Sequence, residues 1–214
     1  TLDEVELSGF YKPARRKSSK CVVYIHGLTG DFLDPPLVDE IGESVTRAGF
    51  NFLSFNNRGS EIITWFKVKG KLEMIGGARE RFEDCIDDIA AGIGYACKRG
   101  SKEIVLVGHS TGCQKSIYYQ STTQDPRVKG IVLLGPASDT DYEKKRLGKK
   151  FVWALAYAKG TLKVGQGDRL FYGTEEFLTY RRFYSLHKPT SLEGNIFNYR
   201  TGRMRLLSRI GVPV

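Results

Sequence analysis

The sequence predicts an α/β fold in which a mainly parallel sheet is covered by helices on both faces. Apolar runs rich in β-branched residues alternate with amphipathic segments, and glycine or proline residues punctuate the alternation. The chain has 214 residues, of which 41% are hydrophobic, enough for one sizeable core. We therefore expect one core, formed by residues 1–138.

Four strands and three helices are predicted in alternation. The segment PPLVDEIGESVTRAG illustrates the reasoning: prolines open it, its apolar residues are spaced four apart, and Gly49 closes it, as start and stop signals of a helix do. Runs such as KCVVYIHG are short, β-branched and end in glycine, which is typical of buried strands. The predicted strands are 20–27, 50–56, 103–108 and 128–138, and the predicted helices are 35–49, 79–100 and one beginning directly after Ser110.

The alternation stops at Asp139, and residues 139–208 are predicted to be a cap insertion with only local helical periodicity. Residues 209–214 contain GVPV, which resembles the opening of a further core strand. The cap is rich in aromatic residues, most of which we expect to pack the cap onto the sheet, with pocket lining as the alternative. These residues are Phe151, Trp153, Tyr157, Phe171, Tyr172, Phe177, Tyr180, Phe183 and Tyr184.

Composition narrows the function classes. The net charge of +9 would suit an anionic partner, but it is scattered and accompanies no nucleic-acid-binding motif, so a solvated basic surface is favoured and nucleic acid is the minor hypothesis. The four cysteines show no CxxC spacing and are interpreted as buried thiols, so no metal is expected. No apolar run is long enough to span a bilayer, and the chain opens without signal-peptide features. We expect a cytoplasmic protein without a membrane partner; the oligomeric state is left open.

Residues 108–112, GHSTG, form the strongest motif. G-x-S-x-G here follows a predicted strand and precedes a predicted helix, the context that this nucleophile elbow requires. Small residues two before and two after Ser110 permit a very sharp turn that exposes the hydroxyl, while the helix start directs N–H groups at the same place. Ser110 is the predicted nucleophile; the alternative is an ordinary glycine-flanked turn.

The turn that follows the strand ending at Ile25 is the second motif, and it could lie beside the Ser110 turn. YIHGLTGD also ends a strand, and if the strands ending at Ile25 and Val107 are neighbours, the backbone N–H groups of Leu28 and Thr111 could converge on one oxygen. Such an oxyanion hole would stabilise a tetrahedral intermediate, and Gly27 would let the backbone approach.

Five residues are expected to shape the two turns without taking part in bond making. Two of them are histidines: one is interpreted as orienting the loop after the first strand, and the other as the variable, structural residue of the elbow. The five are His26, Gly27, Gly108, His109 and Gly112.

The motifs HGLTGD, NNRGS, GHSTGCQ and LLGPASD, in this order, resemble the α/β-hydrolase superfamily. GHSTGCQ together with FLTYRRFYSL is similar to the branch that contains siderophore esterases, and more distantly to serine aminopeptidase-like and feruloyl-esterase-like hydrolases. The resemblance implies a serine hydrolase that cleaves a small-molecule carboxylic ester, with an amide as the lesser alternative, through an acyl-enzyme on Ser110 and without a cofactor.

The sequence departs from that family in its histidines. The resemblance implies a Ser–acid–His order with the histidine on a loop after the final strand, whereas the only histidine after Ser110 is His187, inside the cap. We expect the last strands, the acid and the catalytic histidine to lie beyond residue 214. Two alternatives stay open: His187 acts as an unusual base with Asp139 or Asp141, or the protein is a non-catalytic ligand receptor or interaction module of this fold.

Overall fold

A five-stranded sheet forms the centre of the computed structural model, which describes residues 1–173 and 177–214. Four of its strands are parallel, and the short strand at one edge pairs antiparallel with its neighbour. The sheet strands are β1 (Gly9–Lys12), β2 (Lys20–Ile25), β3 (Asn51–Phe55), β6 (Glu103–His109) and β7 (Val128–Leu134), in the order β1-β3-β2-β6-β7, and β4 (Trp65–Val68) and β5 (Lys71–Met74) form a separate hairpin.

Six α-helices are found in the described ranges, three of them between the parallel strands and three after the last strand. They are α1 (Leu37–Arg47), α2 (Cys85–Lys98), α3 (Thr111–Thr123), α4 (Asp139–Leu147), α5 (Lys150–Lys163) and α6 (Tyr180–His187), with single 3₁₀ turns at Phe82–Asp84, Glu193–Asn195 and Leu207–Arg209.

The helices cover both faces of the sheet because successive strand residues point to opposite sides. Tyr24 and Phe52 are fully buried on the face that packs against α1. On the other face, Ile89 and Ile93 of α2 and Ile117 of α3 are fully buried against the alternate strand residues. Full burial of such a side chain is worth about 1.5–3 kcal/mol. The predicted α/β class, with its mainly parallel sheet, is confirmed.

Every strand and helix predicted before residue 139 is present, but α2 begins six residues after its predicted start and β7 ends four residues before its predicted end. Strand β1 and the β4–β5 hairpin were not predicted. Both are short, and β5 is exposed along its whole length, so neither carries the apolar alternation that identifies a half-buried strand. The hairpin is joined to the N-terminal segment through a bridge between Val5 and Val68.

The predicted strand opening at residues 209–214 stays a prediction. No ladder forms in this segment of the described chain. The Pro213 carbonyl nevertheless accepts a hydrogen bond from the Ile131 N–H of β7 at 3.0 Å, so the segment runs beside the edge strand.

The predicted cap, residues 139–208, contains α4, α5 and α6, and part of it, residues 174–176, lies outside the described residues. A hydrophobic cluster centred on Phe183 and Leu186 holds α5 and α6 together. Ile196 and Phe197 instead pack into the main core. Only two of the nine cap aromatics singled out from the sequence are buried, Phe151 and Phe183, and Phe183 packs within the cap's own cluster. Three are partly buried against that cluster (Phe171, Tyr180 and Tyr184), and four are exposed (Trp153, Tyr157, Tyr172 and Phe177), so the expectation that most of them pack the cap onto the sheet is not borne out.

The four cysteines are unpaired, and three are buried. In the part of the chain that the structure describes, no group of His, Cys, Asp or Glu side chains has a metal-binding arrangement, and no helix combines the length and apolarity needed to cross a bilayer.

Candidate active site

Ser110 lies alone between the end of β6 and the start of α3, with φ 52° and ψ −124°. A positive φ is costly for a residue with a side chain, and such strain persists only where neighbouring contacts impose it. Here the Ser110 N–H donates to the Leu134 carbonyl of β7 at 2.9 Å, and the Ser110 carbonyl accepts from the Cys113 N–H at 2.9 Å. The turn is therefore held from both sides in the conformation that a nucleophile elbow requires.

The two motif glycines have no room for a side chain. A Cβ on Gly108 would lie 2.4 Å from the Gly112 carbonyl oxygen, and a Cβ on Gly112 would lie 2.0 Å from the Ile25 carbonyl oxygen. These neighbours are backbone atoms that cannot rotate away. The small residues at both ends of the motif are thus required by the close approach of strand, turn and helix.

The loop after β2 runs directly past Ser110. In the parallel pair β2–β6, Ile25 lies opposite Gly108, so the two strands are neighbours as the sequence analysis required. A Cβ on Gly27 would lie 2.9 Å from the Ser110 Cβ and 3.3 Å from its Oγ. The structure therefore brings the two predicted turns into contact.

The backbone N–H groups of Leu28 and Thr111 flank this contact. Neither donates a hydrogen bond to another group of the described residues. The Thr111 N–H is the first of α3, where the helix dipole favours negative charge. The Leu28 side chain packs against the hydrophobic cluster of the cap. The two N–H groups predicted to be oxyanion donors thus have no other hydrogen-bond partner among the described residues, and their role stays a prediction.

His26 is completely buried beside this site. Its Nε2 accepts the Asn57 N–H at 3.1 Å, and its Nδ1 lies 2.7 Å from the Gly27 carbonyl oxygen, which can only accept. The ring is therefore neutral with its proton on Nδ1, and both nitrogens are occupied. Burial lowers the pKa of His26 to about 4, and the positive charge of Lys115 acts in the same direction. His26 holds the loop that carries Leu28.

A buried polar network that the sequence analysis missed extends from this loop into the cap. Lys115 Nζ of α3 donates to Asn57 Oδ1 and to Glu80 Oε2, each at 2.7 Å. Arg182 Nη2 of α6 donates to Glu80 Oε1 at 3.1 Å and to Glu193 Oε1 at 2.8 Å. All four charged side chains are buried.

The network contains two positively charged side chains and two carboxylates, so its charges cancel. Burial alone would raise the pKa of Glu80, but the charges of Lys115 and Arg182 hold it below its usual value. The network therefore keeps its charges inside the protein and joins α3, the His26 loop and the cap.

His187 is held elsewhere in the cap, at the end of α6. Its Nδ1 lies 3.1 Å from Thr140 Oγ1, and its ring packs edge-on against Phe151 and Phe183. Burial lowers the pKa of His187 to about 3, reinforced by the charge of Arg182. No hydrogen bond among the described residues joins it to Ser110.

The other polar residues singled out from the sequence have their own contacts. Asp139 accepts a hydrogen bond from Gln114 Nε2 at 3.0 Å, and Asp141 forms a surface ion pair with Lys144 at 3.7 Å. His109 is the last residue of β6 and is partly exposed. The two contacts described for Asp139 and Asp141 involve Gln114 and Lys144, not a histidine.

Comparisons with known proteins agree with this architecture. The family model described as "Protein of unknown function (DUF1749)" matches residues 5–195. No curated protein matches the sequence.

Three solved structures illustrate the similarity. Siderophore hydrolase EstB from Aspergillus fumigatus is 17% identical with a TM-score of 0.59, over 86% of this chain and 61% of that one. Est1E from Butyrivibrio proteoclasticus, solved with ferulic acid bound, is 18% identical with a TM-score of 0.52, over 66% and 53%. The α/β hydrolase GrgF from Penicillium sp. sh18 is 17% identical with a TM-score of 0.56, over 100% and 65%. The chain has the α/β-hydrolase fold, and it spans between 53% and 65% of the length of these three proteins.

Proposed function

The chain belongs to the DUF1749 family and has the α/β-hydrolase fold, and from its site geometry we propose that it is a serine hydrolase acting on a carboxylic ester. Fold alone does not fix function, so the proposal depends on the site. The observation that carries it is the conformation of Ser110, held at positive φ between β6 and α3 with the Gly27 backbone against its side chain.

The proposed reaction has two steps. Ser110 Oγ attacks the carbonyl carbon of the ester, the carbon–oxygen bond to the leaving alcohol breaks, and an acyl-enzyme forms. Water then attacks the same carbon and releases the acid and Ser110. The N–H groups of Leu28 and Thr111 donate to the carbonyl oxygen as it becomes negative; one such donor is typically worth about 2.7–4 kcal/mol. An amide is the lesser alternative.

The proton of Ser110 needs a base. Both nitrogens of His26 are occupied, and His187 lies against Thr140 and two phenylalanine rings. We assign the base to neither. The resemblance to α/β hydrolases instead leads us to propose a histidine outside residues 1–214, oriented by an acid, as the partner of Ser110.

Four unpaired cysteines support a reducing compartment, and we propose the cytoplasm. The proposed partner is a small-molecule ester, and nucleic acid is not favoured, because no recognition motif accompanies the basic charge.

A fluorophosphonate probe tests the role of Ser110, because it phosphonylates a serine only when that serine is activated. The probe is applied to the 1–214 chain and to the product of the complete coding sequence, and the modified peptide is identified by mass spectrometry. We expect labelling of Ser110 in the latter, lost in Ser110→Ala and retained in Ser44→Ala, which removes an exposed hydroxyl of α1. Labelling that persists in Ser110→Ala, or no labelling of the complete protein, would overturn the hydrolase proposal.

A ligand receptor of the same fold is the second candidate. It is favoured by one observation: the hydrogen bonds of the described residues provide no base to Ser110. A receptor would bind a p-nitrophenyl ester without turnover, and its binding would survive Ser110→Ala. Measuring ester release and ester binding on the same complete protein separates the two functions.

A further inference from the structure

The outer face of α5 is apolar and exposed to solvent. Trp153 is 78% exposed and Tyr157 63% exposed, although large aromatic side chains are usually covered. The exposed positions follow three- and four-residue spacing, which places them on one side of the helix. They are Val152, Trp153, Ala156, Tyr157 and Gly160, followed by Val164 directly after the helix. We call these six residues the α5 face.

The opposite side of α5 explains why the helix is fixed in this orientation. Phe151, Ala158 and Thr161 are buried, and Ala158 belongs to the hydrophobic cluster that α6 completes. The helix therefore cannot turn its outer side inward without losing this packing. The α5 face is a fixed feature of the cap surface.

Basic residues border the α5 face, and no acidic residue occurs in the helix. Four exposed lysines lie on the helix or just before it: Lys149, Lys150, Lys159 and Lys163. None of them forms an ion pair with another described residue. The protein as a whole carries a net charge of +9. A partner that fits this surface must accept apolar side chains and present negative charge around them.

We propose that the α5 face docks the protein onto an anionic lipid surface. Trp and Tyr favour the boundary between acyl chains and headgroups, because one part of each ring system is apolar and the other can hydrogen-bond. Lysines bordering such a helix are attracted to anionic headgroups. The helix lies on the surface and does not span it; its 14 residues are too few for that. This binding goes beyond the proposed hydrolase activity and does not depend on it. It replaces the sequence-based expectation of no membrane partner, which was drawn from the lack of a membrane-spanning segment.

Co-sedimentation with vesicles tests the proposal. The wild-type protein is mixed with vesicles of phosphatidylcholine and phosphatidylserine, about 7:3, and with vesicles of phosphatidylcholine alone. We expect binding to the mixed vesicles that weakens at high salt, and roughly tenfold weaker binding to the neutral ones. In Trp65→Phe, which leaves Trp153 as the only tryptophan, the emission should shift to shorter wavelength on binding.

Three double variants, one of them a control, test which residues of the α5 face bind the vesicles. Trp153→Ser with Tyr157→Ser removes the aromatic part of the α5 face, and we expect it to weaken binding by at least roughly tenfold. Trp65→Ser with Leu72→Ser is the matched control, because these side chains of the β4–β5 hairpin are 61% and 69% exposed and lie outside the cap. Lys159→Glu with Lys163→Glu should abolish the preference for phosphatidylserine. Circular dichroism verifies that each variant is folded.

Three results would overturn the proposal. One is equal binding by wild type and the Trp153→Ser, Tyr157→Ser variant; another is wild-type binding that is the same with and without phosphatidylserine. The third is self-association that this variant abolishes, without any vesicle binding, which would assign the α5 face to contact between copies of the chain.

Discussion

Among the glycines of the elbow, Gly112 has the least room for a side chain. A Cβ there would lie 2.0 Å from the Ile25 carbonyl oxygen, inside a sheet that cannot shift locally. We expect Gly112→Ala to lower the free energy of unfolding by at least ~3 kcal/mol, or to prevent folding, since relief requires moving β2 away from the turn. Urea unfolding and soluble yield measure the effect.

Gly94 provides the matched control for this substitution. It lies inside α2, and a Cβ there would meet no atom within 4 Å. Gly94→Ala should therefore raise the free energy of unfolding by about 0.5–1 kcal/mol, as expected for glycine in a helix. A Gly112→Ala protein as stable as wild type would contradict the geometry assigned to the elbow.

His187 makes the stability of the protein depend on pH. The pKa of His187 in the folded protein is about 3, below the usual 6.5. Its stabilising contribution to the free energy of unfolding is therefore present above pH 6.5 and is lost as the pH falls toward 3. His26, with a pKa of about 4, acts in the same direction. Burial raises the pKa of Asp88 to about 6, and its contribution has the opposite sign, because it is lost as pH rises through 6.

The His187 contribution can be isolated with His187→Asn, which keeps a donor toward Thr140 but cannot take up a proton in this range. Between about pH 7.5 and about pH 5, wild type should lose on the order of 2 kcal/mol more unfolding free energy than the variant. Urea titrations at both pH values measure this difference. Parallel losses in the two proteins would mean that His187 is not buried in its neutral form.

At the scale of elements, the predictability of the fold follows from periodicity. The core strands and the helices α1 and α2 have apolar residues at regular spacing, so the sequence predicts them. Helix α3 lacks such spacing and is predicted from the elbow motif that precedes it. Strand β1 has four residues and every position of β5 is exposed, which leaves no such pattern. The pairing of β1 depends on a partner far along the chain, as in the antiparallel contact between Gly9 and Phe55, whereas β5 pairs with β4 directly before it.

The candidate site likewise has one part that the sequence predicts and another part that it does not. Ser110 and its glycines could be predicted because the elbow is a local motif whose geometry dictates residue size. The buried network could not, because Lys115 lies 35 residues from Glu80, and Glu80 lies 102 residues from Arg182. The sequence did contain one indication of this network. Lys115 lies in the helix that starts at the elbow, and a charged side chain that is buried there requires a partner of opposite charge. Local sequence does not show which distant carboxylate that partner is.

At the scale of the whole molecule, largely buried contacts join the cap to the loops beside the sheet. Thr179 donates its N–H and its hydroxyl to the Ala78 carbonyl, at 3.0 and 2.7 Å. Arg182 reaches Glu80 from α6, and Leu28 packs into the cluster of the cap. Because these contacts are buried, we expect the cap and the sheet of the wild-type protein to unfold together.

Arg182→Met should separate the cap from the sheet. The substitution leaves Glu193 buried without its bidentate partner and Glu80 with Lys115 alone, a change that typically costs about 3–5 kcal/mol. The sheet keeps its own packing, so the loss falls mainly on the cap. Hydrogen exchange measured by mass spectrometry should therefore show faster exchange in α5 and α6, with little change in β6.

Arg181→Met is the control for that experiment, since Arg181 is the neighbouring residue of α6 but forms an exposed ion pair with Asp168 at 2.8 Å. An exposed pair contributes about 0–1 kcal/mol, so exchange in the cap should stay close to wild type. A second variant, Arg182→Met with Glu193→Gln, removes the unpaired charge and should restore part of the protection. Equal acceleration of exchange in cap and sheet by Arg182→Met would mean that the network stabilises the molecule as a whole, and that the cap has no separate opening transition.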